Sequence, residues 1–155
     1  MDAELRTVTD PAEARALATR LDTAAAEMQE IHEGPPPPAG WAEAWLDAHF
    51  ADELGLLLVA ESRAGATDLG LLLAGPHTDP LGIERLPMIL LLSVDRGVRH
   101  RGLARALVNR AQEIFTGRGH DRLTARAPHN DDARISMGER WGFVREWELF
   151  ERGRA

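Results

Sequence analysis

Between Leu56 and Val94 apolar residues come in unbroken runs, whereas on either side of that stretch they recur three or four residues apart. The spaced pattern puts apolar side chains on one face of a helix, and the unbroken runs suit strands covered on both faces of a sheet. Leu56–Glu61 and Leu69–Leu73 are predicted to form a hairpin with its turn around Gly65. A loop rich in Gly and Pro, from Gly75 to Gly82, leads into Leu86–Val94, a central strand in which Pro87 is tolerable only near the start.

Upstream, a short strand is predicted near Arg6 to Val8. Asp10-Pro11-Ala12-Glu13 then reads as a helix start, with Asp as cap, Pro in the first turn and Glu able to reach back. Leu17, Leu21 and Met28 mark the apolar face of that helix, from about residue 11 to about residue 31. Pro35-Pro36-Pro37-Pro38 ends it, because proline lacks the amide donor. The four prolines are read as a stiff connector, with a fixed wall beside a substrate groove as the functional alternative. A second helix carries Trp41, Trp45, Leu46 and Phe50. Downstream, Leu103, Leu107, Ala111 and Ile114 mark a helix that Gly117 and Gly119 end. Arg122–Ala127 alternates as a strand, Asn130-Asp131-Asp132 opens a short helix closed by Gly142, and Phe143–Phe150 is predicted as a last strand. The order β, α, α, β, β, β, α, β, α, β describes one mixed α/β layer domain over residues 1–155.

Composition narrows the chemistry. There is no cysteine, which excludes structural disulfides, thiolate metal ligands and a cysteine nucleophile. The first residues lack the basic start and apolar run of a signal peptide, and no apolar stretch approaches the roughly 20 residues of a membrane span. A cytoplasmic protein with no membrane partner is therefore expected. The net charge of −7 is unevenly spread: residues 1–95 hold 17 acids and 5 arginines, and residues 96–155 hold 8 and 13. The basic half suits a compact phosphorylated ligand better than a nucleic acid, which an acidic protein repels at long range. All 18 basic residues are arginine, and tyrosine is absent.

The basic half begins where a buried strand ends at Val94 and a helix starts near Gly102. Amides at a helix N-terminus lack intrahelical partners and sit at the positive end of the helix dipole, so they can cradle phosphate. Gly102 lets a diphosphate approach the backbone, and Arg99 and Arg101 add charge at the rim. The segment is neither a Walker A loop nor a GxGxxG turn. A plain strand-to-helix turn with solvated arginines is the bland alternative.

The run from Leu92 to Leu107, with Arg99, Gly102 and Ala104 at the specified places, resembles motif A of the GCN5-related N-acetyltransferases (GNAT), whose loop reads Gln/Arg-x-x-Gly-x-Gly/Ala. Asn130 to Phe143 is similar to that family's closing helix, which ends in Gly-Phe. The resemblance implies a single-domain fold with a mixed, splayed β-sheet flanked by helices. It also implies an acetyl-CoA donor, with backbone groups of Leu92 and Val94 pairing with the pantetheine arm. Amides of Arg99, His100, Arg101, Gly102, Leu103 and Ala104 would hold the pyrophosphate, and the thioester would lie where the central strands part. Asn130 would contact the cofactor from the far side, or else cap the short helix. No metal site is expected.

Many members of that family place a tyrosine four residues before the Gly of Gly-Phe, to protonate the leaving thiolate. That position is Gly138 here, and counting seven residues from Asn130 gives Met137 instead. A thiol with a pKa near 8.5 leaves tolerably without an acid, so the missing hydroxyl weakens the mechanism without abolishing it. His129 is the best-placed base, following the strand that ends near Ala127. Ser136, Ser93 and Glu84 are weaker candidates, and His100 is placed beside the phosphates. Glu27, Glu30, Glu33, Glu43, Asp47 and Asp52 offer an acidic wall for a cationic acceptor, or a solvated face; Trp41 and Trp45 are pocket lining or core. The expectation is an N-acyltransferase moving acetyl to a primary amine of a small molecule or peptide by direct attack. The alternatives are a non-catalytic acyl-CoA-binding module and a general anion- or RNA-binding domain. A homodimer through the exposed last strand is a further option.

Overall fold

The unbroken apolar runs become the middle of a sheet. In the structure, a computed structural model that describes residues 2–64, 68–146 and 148–153, five strands lie in the order of the chain. They are β1 (Ala3–Thr7), β2 (Leu56–Ser62), β3 (Asp68–Thr78), β4 (Arg85–Val94) and β5 (Thr124–Ala125). β1 to β4 pair antiparallel in succession, and β5 joins β4 in parallel. Neighbouring side chains on a strand point to opposite faces, so both faces of the sheet need cover. Leu57, Val59, Leu71, Leu73 and Leu91 pack under the helices α1 (Pro11–Ala16), α2 (Ala18–His32) and α3 (Trp41–His49). Leu56, Leu58, Leu72, Ala74 and Ile89 pack on α4 (Leu103–Gly117), through Leu103, Leu107, Val108, Ala111 and Phe115. The short helix α5 (Asp132–Arg140) follows β5. The single-domain α/β fold with a mixed sheet flanked by helices is thus the one the pattern implied.

Five boundaries differ from the pattern, the first being β1, which runs Ala3–Thr7 where a strand was expected near Arg6 to Val8. The helix expected over 11–31 is two helices, parted at Leu17, whose φ of −91° and ψ of 0° turn its N–H back to Ala14. Asp10 caps α1 as expected, but Glu13 pairs with Arg6 instead of reaching back. The loop expected from Gly75 to Gly82 is partly strand, since β3 continues to Thr78 opposite Arg85 and the turn spans Asp79–Glu84. Gly75 is inside the strand for packing: a Cβ there would lie 2.3 Å from Cζ2 of Trp45. The strand expected over Arg122–Ala127 shrinks to Thr124–Ala125. The last strand, expected over Phe143–Phe150, is absent among the described residues of that stretch, and Trp147 lies outside them. A two-residue β5 offers too short an edge to template a further ladder, and Val144, Leu149 and Phe150 are left more than 80% exposed. The turn expected at Gly65 also lies outside the described residues. Among the described residues no helix is long and apolar enough to cross a membrane.

Candidate acyl-CoA site

The site begins with an irregularity in β4. Leu91 stands opposite Leu73 and Ile89 opposite Ala74, so Leu90 is an extra residue, a bulge that bends the strand. Pairing with β5 covers only Met88 and Ile89, and it stops at that bulge. From Leu90 to Val94 the β5 side of β4 is therefore an open edge. The Asp95 amide donates to Leu69 of β3 at 2.9 Å, and backbone direction alternates along an antiparallel strand. Leu92 and Val94 consequently turn their backbone groups to the open side, where an extended ligand would pair as an added strand.

The open edge runs directly into the turn before α4. The Asp95 carboxylate accepts from the Gly97 amide at 2.8 Å and holds a 3-10 turn over Arg96–Val98. His100 (φ 65°) and Gly102 (φ 81°) both adopt the left-handed conformation, which costs His100 strain and Gly102 little. No side chain caps α4, and a Cβ at Gly102 would meet nothing within 4 Å. The backbone angle thus demands glycine, while the space above it is clear. The first-turn amides of α4 have no partner within the helix, and Arg101 and Arg105 are exposed beside them. Arg99 differs from its expected place at the rim: its Nε donates to the Val94 carbonyl at 3.0 Å, tying the turn to the end of β4. Arg20 of α2 pairs with Asp68 at the start of β3, next to Leu69, whose carbonyl accepts from the Asp95 amide. Burial pulls the Arg20 pKa down, and the nearby Asp95 carboxylate opposes that.

In the turn after β5, Pro128 is buried and His129 and Asn130 are exposed. Asp131, not Asn130, caps α5, accepting from the Arg134 amide at 3.1 Å. The Asn130 side chain instead donates to the Ile31 carbonyl at 2.7 Å, joining this turn to the last turn of α2. His129 stands edge-to-face with His32, the last residue of α2, with ring centroids 6.1 Å apart. His32 was not among the sequence candidates, since a polar residue before Gly-Pro at a helix end carries no signal of its own. Gly138 lies on α5, where an added Cβ would come no nearer than 4.0 Å to Phe143.

Other candidates are engaged elsewhere. Asp47 pairs with Arg15, Asp52 with Arg85 and Glu84 with Arg122. Arg85, followed by the Leu54 amide, holds the Asp52 carboxyl below the ordinary carboxylate range. Of the expected acidic wall this leaves Glu43 in the first turn of α3 and, at the end of α2, Glu27, Glu30 and Glu33, the acids nearest in sequence to His32. Trp41 and Trp45 pack against the core cluster. A shallow groove of about 340 Å3 runs between α2 and Pro36–Gly40, and a depression of about 190 Å3 lies between α1 and α3. Neither includes a residue of the β4–α4 junction, where the candidate track is an open strand edge.

The family model described as Acetyltransferase (GNAT) family matches residues 25–143. None of the curated proteins matches the chain. Among solved structures it resembles AAC(6′)-Iy in complex with a bisubstrate analogue of CoA, with a TM-score of 0.73, 14% identity and all of each chain covered. It also resembles a ribosomal-protein-alanine N-acetyltransferase from Brucella melitensis biovar Abortus 2308, with a TM-score of 0.70, 16% identity and 99% of each chain covered. A third likeness is to a predicted acetyltransferase with acetyl-CoA from Clostridium acetobutylicum, with a TM-score of 0.71, 15% identity, and 97% of this chain and 96% of that one covered. At these identities the structural likeness is one of fold. The family match, in contrast, spans the open edge of β4, the turn, α4 and the 128–131 loop, and the chain belongs to the Acetyltransferase (GNAT) family.

Proposed function

We propose that this acetyltransferase moves the acetyl group of acetyl-CoA to a primary amine of a small molecule or peptide by direct attack. One observation carries the reading: the open backbone edge of β4 at Leu92 and Val94 is joined, by the single short turn over Asp95–Arg101, to the uncapped N-terminus of α4 at Gly102. An elongated ligand with amides at one end and a diphosphate at the other fits that track. The Leu92 backbone and the Val94 amide hydrogen-bond the amide-bearing arm, the Val94 carbonyl being taken by Arg99. Amides from Arg99 to Ala104 hold the diphosphate, with Arg101 adding charge. Asn130 keeps the opposite wall in place through Ile31.

Bound there, acetyl-CoA supplies the acetyl carbonyl carbon and a thiolate leaving group. The neutral amine forms a C–N bond to that carbon, the C–S bond breaks, and the amine proton passes to His129. Gly138 offers no acid, so the sulfur departs as thiolate and takes its proton from water. Positioning along the β4 edge supplies the rest of the rate.

Glu27, Glu30 and Glu33 at the end of α2 favour a cationic acceptor. AAC(6′)-Iy was captured with an acetylneamine analogue, and the Brucella neighbour is named for ribosomal-protein alanine, so neamine and an alanyl peptide are the first acceptors to assay. Release of CoA thiol is the readout. His129→Gln should lower kcat by on the order of a hundredfold while leaving acetyl-CoA affinity unchanged. A wild-type rate in that variant removes His129 from the chemistry. Acetyl-CoA binding with no thiol release from any amine would overturn the transferase reading.

A further inference from the structure

We infer that His32 is a positioning residue that holds the His129 imidazole toward the acceptor side of the cleft. The inference rests on His129 as the proton acceptor. An exposed histidine on a turn has several rotamers, and a base must meet its proton in one geometry. The two rings stand 6.1 Å apart at 87°, the spacing and angle of an edge-to-face aromatic pair. Each ring stands on backbone that is fixed from its own side.

On the α2 side, the Gly34 amide donates to the Gln29 carbonyl at 2.9 Å and the Glu33 amide to Glu30 at 3.1 Å. Those two bonds close the helix with Glu33 in the left-handed conformation, at φ 62°. A Cβ on Gly34 would lie 3.2 Å from Cδ2 of His32, so glycine leaves that ring its place. The Gln29 amide reaches on to the Pro35 carbonyl at 2.9 Å and ties down the exit from the helix. On the other side, His129 lies between buried Pro128 and Asn130, and the Asp131 amide donates to the Pro128 carbonyl at 3.0 Å. The Asn130–Ile31 hydrogen bond locks the two sides together, one residue away from each ring. Among the described residues, Glu33 and His100 are the two non-glycine positions in the left-handed region. One borders this pair and the other lies in the anion turn.

The test is a double-mutant cycle with acetyl-CoA as donor and neamine or an alanyl peptide as acceptor. Turnover-free histidine-ring NMR spectra of the wild type accompany it. His32→Ala should lower kcat by on the order of tenfold, with acetyl-CoA affinity and Tm unchanged. His32→Phe should recover most of the rate, because it keeps an aromatic edge against His129. In a His129→Ala background, His32→Ala should have no further effect, and the wild type should show a cross-relaxation peak between the two rings. If His129→Ala is slow and His32→Ala is not, the inference fails and the base stands. If His129→Ala is as fast as wild type, the base itself fails. Equal losses from His32→Ala in both backgrounds, a phenylalanine variant as slow as the alanine one, or no peak between the rings each overturns the positioning role.

Discussion

Gly102 joins two requirements in one residue: a left-handed backbone at φ 81° and clear space where a side chain would stand. An alanine there meets no protein atom, so its effect divides into two measurable parts. Gly102→Ala should lower stability by about 1 kcal/mol through the strained φ, read by denaturant unfolding. It should also weaken acetyl-CoA binding by on the order of tenfold or more, as the methyl enters the diphosphate's path, read by calorimetry. Unchanged affinity would place the diphosphate elsewhere. Gly102 was legible in the sequence because its neighbours Arg99 and Ala104 fix the motif. The use of Asn130 was not: Asn130-Asp131-Asp132 offers three residues able to cap α5, and only the backbone path decides that Asp131 does so. His32 was hidden for a similar reason, since its partner lies about a hundred positions along the chain.

Among elements, the periodicities located β2, α3 and α4 within a residue or two. Turn chemistry misled where packing overrode it. Gly75 and Pro76 read as breakers, yet both belong to β3, because Trp45 of α3 lies on Gly75. Gly75→Ala should therefore cost roughly 1–3 kcal/mol by overpacking and shift the Trp45 environment, seen in the tryptophan fluorescence. A variant as stable as the wild type would show that the ring can slide away freely. Among its described residues the strand expected at 143–150 failed in the opposite way, because a strand needs an edge to pair with and no local pattern reports that β5 is two residues long.

The contact between the α3–β2 turn and β4 carries a pH dependence. Asp52 accepts from the Leu54 amide and pairs with Arg85, which lowers its folded pKa. Its contribution is thus present above the unfolded value of about 4 and is lost as pH falls through the lower folded value. Asp52→Asn should cost under about 1 kcal/mol at pH 7, and the gap to wild type should close in acid. A gap that persists at acid pH would assign the loss to packing.

At the scale of the whole molecule, three layers join the free edge of β4 to the N-terminus of α4, and the 128–131 turn to the end of α2. The sheet splits because Leu90 is an extra residue and β5 follows β4 for only two positions. The uneven charge has a structural counterpart, with Arg96, Arg99, Arg101 and Arg105 clustered in sequence around the start of α4. The family match covers that junction, the 128–131 turn and the end of α2. The central claim is that acetyl-CoA lies along Leu92–Val94 and over the N-terminus of α4. An amide-resolved NMR titration with acetyl-CoA tests it most directly. Leu92, Val94 and Arg99–Ala104 should shift together and saturate at about one equivalent, as one site requires, while Leu57–Ala60 in the sheet interior stays in place. Shifts confined to other surfaces, or none at saturating ligand, would contradict it.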